Sequence, residues 1–112
     1  MKPLNKSILE NFLERFEHFR DGEFRNIEIN SPTNITLTFA TQDASRGYDW
    51  ISVKLEFDGI SDASLLDNSN LTHVDMSDGI DISNNGTQFA FKLNNSTCQI
   101  KSSSLKYEEG LF

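Results

Sequence analysis

The sequence has few of the features that mark secreted, membrane or nucleic-acid-binding proteins. It contains one cysteine, Cys98, among 112 residues, so an intramolecular disulfide is impossible and a reducing compartment is favoured. No apolar run approaches the roughly 20 residues that a membrane helix needs, and no apolar stretch typical of a signal peptide follows Met1. We therefore expect a cytoplasmic protein with no membrane contact.

Positive charge is also scarce, since 10 Lys and Arg residues stand against 17 Asp and Glu residues, for a formal net charge of -7. A negative field repels phosphate backbones, so nucleic acid is not expected as a partner. A basic protein partner is compatible with this charge, which also serves solubility. Hydrophobic residues make up 37% of the chain, which predicts one globular domain over residues 1–112.

Motifs for catalysis or metal binding are missing as well. There is no Gly-x-Ser-x-Gly, no phosphate-binding glycine loop and no paired Cys or His ligands. A calcium loop aligned on Gly79 would place Val74 and Met76 at positions that need oxygen ligands, and one aligned on Asp21-Gly22 would place Phe19 there. We expect no metal and no cofactor.

The chain begins with an amphipathic pattern that predicts a helix over residues 4–20. Its apolar residues recur with helical spacing on one side: Leu4, Ile8, Leu9, Phe12, Leu13, Phe16 and Phe19. Asp21-Gly22 provides a stop, because glycine tolerates the left-handed conformation that ends many helices.

After Gly22 the apolar period changes from 3.6 to 2, which indicates strands. Each strand has one apolar face, and the Phe-rich stripe of the helix needs such a face as its cover. The predicted fold is α+β, with the N-terminal helix packed on a curved antiparallel β-meander of about six to seven strands. The predicted strands cover residues 24–30, 34–41, 48–58, 71–76, 79–84, 87–93 and 97–107.

Two hairpins have a predicted register. Pairing across the turn-forming residues 30–34 places Ile29 opposite Ile35 and Ile27 opposite Leu37. For the second hairpin, a type I′ turn at Asn85-Gly86 matches the apolar pattern. This turn would pair Ile82 with Phe89, and Ile80 with Phe91.

The rest of the strand pattern is less regular. We expect Asp58-Gly59 to end the strand at 48–58 and a helical turn to lie at Ala63–Leu66. In the last strand the apolar residues change from even numbers, Cys98 and Ile100, to odd numbers, Leu105 and Tyr107. Strict alternation would place the two pairs on opposite faces of the strand, so this change of parity predicts a bulge in residues 102–104. Cys98 is expected to be a buried thiol.

Arg46, Tyr48, Asp49 and Trp50 form the candidate partner-binding segment. Arg, Tyr and Trp are enriched among the residues that dominate interface energies, and Tyr48 and Trp50 lie on the strand face opposite Ile51. Two alternatives stay open. In the first, this face of the sheet is solvated and both aromatic side chains are exposed. In the second, the sheet curls and Trp50 is part of the core, which is the usual state of a lone Trp.

A candidate polar cluster consists of His73, Asp75 and Asp78. On a strand at 71–76, His73 and Asp75 would be neighbours on one face, so the carboxylate could orient the imidazole. The pair lacks a nucleophile, which makes a surface role the simpler interpretation. His18 lies four residues after Glu14, where a helix-surface ion pair is expected.

The layout of the chain resembles small bacterial immunity-like and uncharacterised domains encoded near toxin genes. The resemblance runs from the strand Phe24–Ile29 through Trp50 and a Leu-x-Phe-x-Gly-Ile pattern at 55–60 to the late hairpin. It implies a cytoplasmic bacterial protein that blocks a partner by binding and has no chemistry of its own.

Three functions are therefore carried forward. The first is a non-catalytic protein-binding module whose expected partner is a basic protein. The second is a small-ligand binder or enzyme with a site in the concavity of the sheet, around His73 and Asp75. The third is a component that self-associates through a sheet edge or through Leu111-Phe112.

Overall fold

A computed structural model describes all residues, 1–112, as one short helix packed on a seven-stranded antiparallel sheet. The helix α1 spans Lys6–Arg15 and is too short and too polar to cross a membrane. The strands are β1 Lys2–Pro3, β2 Glu23–Ser31, β3 Asn34–Asp43, β4 Asp49–Ser64, β5 Ile80–Asn84, β6 Phe89–Leu93 and β7 Gln99–Leu111. The α+β class and the helix-on-sheet packing are confirmed.

The strand order is β2-β3-β4-β7-β6-β5, with β1 added to the free side of β7. The two longest strands, β4 and β7, form the centre of the sheet. The expectation of a simple meander is wrong, because the chain leaves β4 and crosses to the far edge before β5, β6 and β7 return to it. This order has the Greek-key pattern of one long connection and three hairpin-linked strands.

One face of the sheet, which we call the inner face, carries the core. A single cluster of 25 buried apolar residues joins α1 to β2–β7. Phe12 and Phe16 are 6% and 1% exposed, so the predicted apolar stripe does face the sheet. Edge-to-face contacts of Phe16 with Phe19 and of Phe19 with Phe39 link the helical segment to β3, with ring centroids 5.5 and 5.2 Å apart.

The helix is shorter than its pattern predicts, since it ends at Arg15 rather than at residue 20. Glu17, His18 and Phe19 all have left-handed backbone, with φ of 52°, 56° and 59°. This turn bends the chain towards β2 and still buries Phe16 and Phe19 completely. Burial of two phenylalanines offsets a conformation that costs about 1–2 kcal/mol per residue.

The first hairpin has the predicted register. In the β2–β3 ladder, Ile29 pairs with Ile35 and Ile27 pairs with Leu37. Three of these side chains are buried, and Ile29 at the end of the ladder is 65% exposed.

The second hairpin forms, but its predicted register is wrong by two residues. Ile82 pairs with Phe91, and Ile80 with Leu93. The turn is centred on Gly86-Thr87, because the Asn85 side chain accepts hydrogen bonds from the backbone N–H groups of Thr87 and Gln88, both at 2.9 Å. Gly86 has φ of 103° and Asn85 has no positive φ, so the type I′ turn is excluded.

β4 does not end at Asp58-Gly59. It continues to Ser64 through a bulge between Ile60 and Asp62, and Gly59 has φ of 66° where a Cβ would overlap the hydroxyl of Ser103. The parity change predicted for β7 is confirmed, since Ile100 and Leu105 are both buried, but the extra residue in the β4–β7 ladder lies on β4 and not in residues 102–104. The strand also removes the helical turn expected at Ala63–Leu66.

The strand predicted at 71–76 is absent. Its place is taken by a 3₁₀ turn, Asn68–His73, that lies against the edge of β2. Leu71 and Met76 are buried, at 3% and 5% exposure. Their apolar character therefore reflects burial beneath the sheet edge rather than strand alternation.

The last strand is shifted relative to its predicted range of 97–107, since β7 covers Gln99–Leu111. The residues 108–111 pair with β4 up to the partners Leu111 and Ile51, so this segment docks on the domain as part of the sheet. The pairing of β1 with Tyr107 and Lys106 was not foreseen.

Candidate functional site

The predicted partner-binding segment lies in the tight connection between β3 and β4. Asp43 starts a 3₁₀ turn, Ala44–Arg46, by accepting a hydrogen bond of 2.9 Å from the N–H of Ser45. Gly47 and Tyr48 then adopt left-handed backbone, with φ of 63° and 66°. The N–H of Tyr48 bonds the carbonyl of Asp43 at 2.8 Å. This closed turn places Tyr48 and Trp50 at the start of β4.

Trp50 lies on the outer face of the sheet, opposite the core, and is 39% exposed. The expectation that a lone Trp is buried is wrong here, because α1 covers only the inner face. Tyr48 is 51% exposed. The hydrophobic cluster is complete without either ring, so these aromatics are not required to fill the core.

Phe112 and Arg25 join Trp50 on the outer face. The Phe112 ring is tilted against Trp50 with centroids 5.5 Å apart, and the Arg25 guanidinium lies 4.5 Å from the centroid of the Phe112 ring. Ala40, on the same face between β2 and β4, is fully buried. Sequence reasoning missed Arg25 because a bulge between Phe24 and Asn26 shifts its strand register.

The ends of β4 and β7 border an open cleft of about 430 Å³, which we call the Trp50 cleft. Leu111, on its β7 side, is 97% exposed. The lining residues are Arg46, Asp49, Trp50, Ile51, Glu109, Gly110, Leu111 and Phe112. Three of the four predicted partner-binding residues therefore line one cleft, and the fourth, Tyr48, adjoins it in the chain.

An ion network supports the floor of the Trp50 cleft. Arg15, the last residue of α1, donates to both oxygens of Asp43 at 2.9 and 2.6 Å and to both oxygens of Glu109 at 3.2 and 2.6 Å. Asp43 is fully buried. Hydrogen bonding from Arg15 holds the pKa of Asp43 at about 2, below its ordinary value of 3.8, and raises the pKa of Arg15.

Arg46 takes part in the same network more loosely. Its guanidinium lies 3.4 Å from Asp43 and 3.5 Å from Glu109, and its side chain is 57% exposed. Two arginines thus face two carboxylates, and their charges compensate. The carboxylate of Asp49 has no hydrogen-bond or ion-pair partner and is exposed. Arg15 and Glu109 lack any local sequence signal, because residues 94 apart in the chain meet only through the fold.

The candidate polar cluster is not assembled as expected. His73 ends the 3₁₀ turn, so the strand face that His73 and Asp75 were to share does not exist. Asp75 instead accepts a hydrogen bond of 2.9 Å from the N–H of Ser77, which lowers its pKa. Asp78 precedes Gly79 in a turn closed by the Gly79 N–H on the carbonyl of Met76. All three predicted residues are exposed and no bond joins them.

The other two titratable candidates, His18 and Cys98, make contacts that belong to the fold and not to a reactive site. His18 lies beyond α1, so its expected pairing with Glu14 is wrong, and its Nδ1 is 3.3 Å from the carboxylate of Asp81. Cys98 is buried as predicted, and burial raises the pKa of its thiol to about 11. No three His, Cys, Asp or Glu side chains converge on a point where a metal could bind.

Comparisons with known proteins add no relative: no family model, curated protein or solved structure matches the chain.

Proposed function

We propose that the protein is a non-catalytic binding module whose contact surface is the Trp50 cleft together with Tyr48. The observation that carries the proposal is the exposure of two large aromatic rings beside a core that is complete without them. Leaving Trp, Tyr and Leu side chains in water is unfavourable for a monomer, and exposed apolar groups that are clustered mark interaction sites.

The ion network and the closed turn next to the Trp50 cleft also favour a role in binding. Recognition surfaces work best when they are rigid before the partner arrives, since ordering side chains on binding costs free energy. The hydrogen bonds from Arg15 to Asp43 and Glu109 tie α1 to β3 and β7 directly under the cleft. The left-handed residues Gly47 and Tyr48 close the adjoining turn. Tyr48 and Trp50 are thus presented from a fixed backbone.

The partner that suits this protein is a basic protein, because a formal net charge of -7 attracts positive surfaces over long distances. The resemblance to immunity-like domains adds that the partner is an enzyme or toxin whose activity is blocked by binding in a bacterial cytoplasm. A sheet curved around α1 would present the outer face with Trp50 as a convex surface.

Catalysis in the concavity of the sheet is less well supported. α1 and the large aromatic side chains fill the inner face, and every buried side-chain N or O atom has a hydrogen-bond partner. His73 and Asp75 lie outside this region on the surface. Self-association is disfavoured by charge, because two copies of a protein with net charge -7 repel each other.

The test is site-specific cross-linking in the native cell. A photoreactive phenylalanine analogue replaces Tyr48 in one chain and Ile29, which is also exposed but lies outside the cleft, in a control chain. We expect one protein to be cross-linked through position 48 and not through position 29, and to be identified by mass spectrometry.

The identified protein is then purified and its affinity measured. Trp50→Ala should weaken binding at least 30-fold, about 2 kcal/mol, as expected for a central aromatic residue. Ile29→Ala should leave affinity within threefold of the original. Equal cross-linking from positions 48 and 29, or equal effects of the two alanine variants, would refute the proposal. Inhibition of the partner's activity would add the immunity-like role.

A further inference from the structure

One stretch of the sheet has a strand on one side only. β7 pairs with β4 along one side, and on its other side it pairs first with β6 and then with β1. The pairing with β1 ends at Tyr107. Residues 108–111 therefore have no neighbouring strand on the β1 side, and we call this segment the β7 edge.

The direction of the backbone groups at the β7 edge follows from strand geometry. The N–H of Leu4, the residue after β1, donates to the carbonyl of Leu105 at 2.9 Å, so Leu105 directs its backbone groups to the β1 side. This direction alternates along a strand, and the β4–β7 ladder is regular from Leu105 to Leu111. Glu109 and Leu111 therefore direct their N–H and C=O groups to the open side, and Gly110 directs its own to β4.

The two outermost strands of the sheet are protected where the β7 edge is not. On β2, the amide of Asn68 bonds both backbone groups of Ile27 at 2.9 Å. On β5, the turn after α1 lies against the strand, and the Nδ1 of His18 is 3.3 Å from the carbonyl of Ile80. Folded proteins usually block their sheet edges against pairing. An edge left open beside exposed aromatic rings therefore indicates a contact site for another chain.

Open space flanks the β7 edge. A cleft of about 330 Å³ lies where β1 ends, and Lys2 and Glu108 are among its lining residues. The Trp50 cleft begins on the same segment, since Gly110 and Leu111 line it. A Cβ added at Gly110 would meet no atom within 4 Å. Another chain can therefore approach this edge without displacing any part of the protein.

We infer that the partner protein binds by adding an extended strand to the β7 edge; this inference rests on the function proposed above. Strand addition satisfies exposed N–H and C=O groups with main-chain hydrogen bonds, and alternate side chains of the added strand provide specificity. In antiparallel orientation the added strand would continue the line of β1. Its outer-face side chains would lie beside Phe112, whose ring packs on Trp50.

Charge decides between a strand of the partner protein and a second copy of this chain. Two β7 edges paired with each other would bring Glu108 and Glu109 of both copies into one short ladder, where like charges are destabilising. The net charge of -7 on each copy adds to this repulsion. An extended segment that carries Lys or Arg meets neither obstacle, so the occupant is a basic strand of the partner.

Hydrogen exchange followed by NMR tests whether the edge is free. In the protein alone, β4 should protect the amides of Glu108 and Gly110. The amides of Glu109 and Leu111 should exchange on the order of a hundredfold faster, because no strand accepts their hydrogen bonds. Equal protection of all four amides would show that the edge is already closed and would overturn the inference.

The probe for strand addition is a library of random twelve-residue peptides displayed on phage and selected on the intact protein. We expect enrichment of peptides that alternate apolar residues with Lys or Arg. The best peptide is then synthesised with N-methyl groups on alternate residues, in either of the two registers. One register should weaken binding roughly tenfold or more and the other less than about threefold, because only one edge of an added strand faces β7. No enrichment, or equal effects of the two registers, would refute strand addition.

Leu111→Pro and Leu111→Ala locate the contact on the β7 edge. Both variants remove the same side chain, and only proline also removes the N–H that faces the added strand. Leu111→Pro should bind the selected peptide roughly tenfold more weakly than Leu111→Ala, while the two variants keep the same urea midpoint. Equal affinities of the two variants would mean that the peptide does not pair with this edge.

Failure of this inference is distinguishable from failure of the binding function. A partner cross-linked through position 48 that binds Leu111→Pro and Leu111→Ala equally well removes strand addition and leaves the Trp50 cleft as the contact surface. Peptide pairing at the β7 edge, combined with equal cross-linking from positions 48 and 29, keeps the edge contact and removes the proposed surface.

Discussion

At the scale of single residues, the three consecutive left-handed residues Glu17–Phe19 after α1 carry a steric cost in the backbone. Glu17 is exposed, its side chain makes no hydrogen bond or ion pair, and it has φ of 52°. Glycine adopts this conformation without the steric cost of a Cβ. We therefore expect Glu17→Gly to raise the free energy of unfolding by about 1 kcal/mol, measured by urea denaturation.

The matched control for this prediction is Glu10→Gly, an exposed position in the middle of α1. There glycine loses helix propensity, and unfolding should become easier by about 1 kcal/mol. Opposite signs for two Glu-to-Gly changes seven residues apart would establish the left-handed turn. Destabilisation by both changes would mean that residues 17–19 continue the helix in solution.

A second prediction at this scale concerns the buried carboxylate of Asp43. Its pKa is about 2 in the folded protein and 3.8 ordinarily, so its charged form contributes on the order of 2 kcal/mol to stability at neutral pH. Because the folded pKa is depressed, this contribution is present above about pH 5 and is lost as pH falls towards 2. Asp43→Asn removes it and keeps the oxygen that starts the 3₁₀ turn.

The measurement compares urea unfolding of the original protein and Asp43→Asn from pH 7 to pH 2.5. The original protein should be more stable by about 2 kcal/mol at pH 7, and the difference should shrink steadily below pH 5. A difference that is the same at both ends of the range would show that the Asp43–Arg15 contact does not depend on the charge of Asp43.

At the scale of elements, the exposed edge of β2 is closed by one amide side chain. Asn68 accepts a hydrogen bond from the N–H of Ile27 and donates one to its carbonyl, both at 2.9 Å. The amide thus pairs with β2 as the next strand would. Unpaired edges invite pairing with other chains, so the clamp stabilises the strand and protects it from aggregation.

Asn68→Ala should lower the free energy of unfolding by about 1–2 kcal/mol, the value of two partly exposed hydrogen bonds. Hydrogen exchange of the Ile27 amide should accelerate by tenfold or more. Asn70→Ala is the control, since Asn70 lies in the same 3₁₀ turn with an exposed side chain and no side-chain bond. Similar exchange rates in the two variants would contradict the clamp.

At the scale of the whole molecule, α1 and Trp50 lie on opposite faces of one sheet. The core cluster is continuous from α1 to β5 and β6, so the two faces should unfold together. We predict that helix content, followed by far-ultraviolet circular dichroism, and Trp50 fluorescence give the same urea midpoint.

Phe19→Leu provides a perturbation for this prediction that is remote from Trp50. The smaller side chain should cost roughly 1–2 kcal/mol at a fully buried site. Both signals should shift by the same amount. A shift in circular dichroism alone would mean that α1 detaches from a sheet that stays folded, and that the chain is not one cooperative unit.

Local pattern determined much of this fold. Alternation placed Ile51, Val53, Leu55 and Phe57 on the inner face of β4, where all four are buried, and it set the β2–β3 register correctly. These features depend on neighbours in the chain and on a short turn, so their physics is contained in a few residues. The curvature of the sheet stays a prediction.

The sequence alone determined the class of fold, the apolar face of each strand and the candidate segment at residues 46–50. Tertiary structure alone decided the pairing of β4 with β7, the left-handed turn after Arg15, the exposure of Trp50 and the bonds from Arg15 to Asp43 and Glu109. The reason is that apolar alternation specifies which side of a strand is buried, but not which distant strand lies beside it or which face a single short helix leaves uncovered.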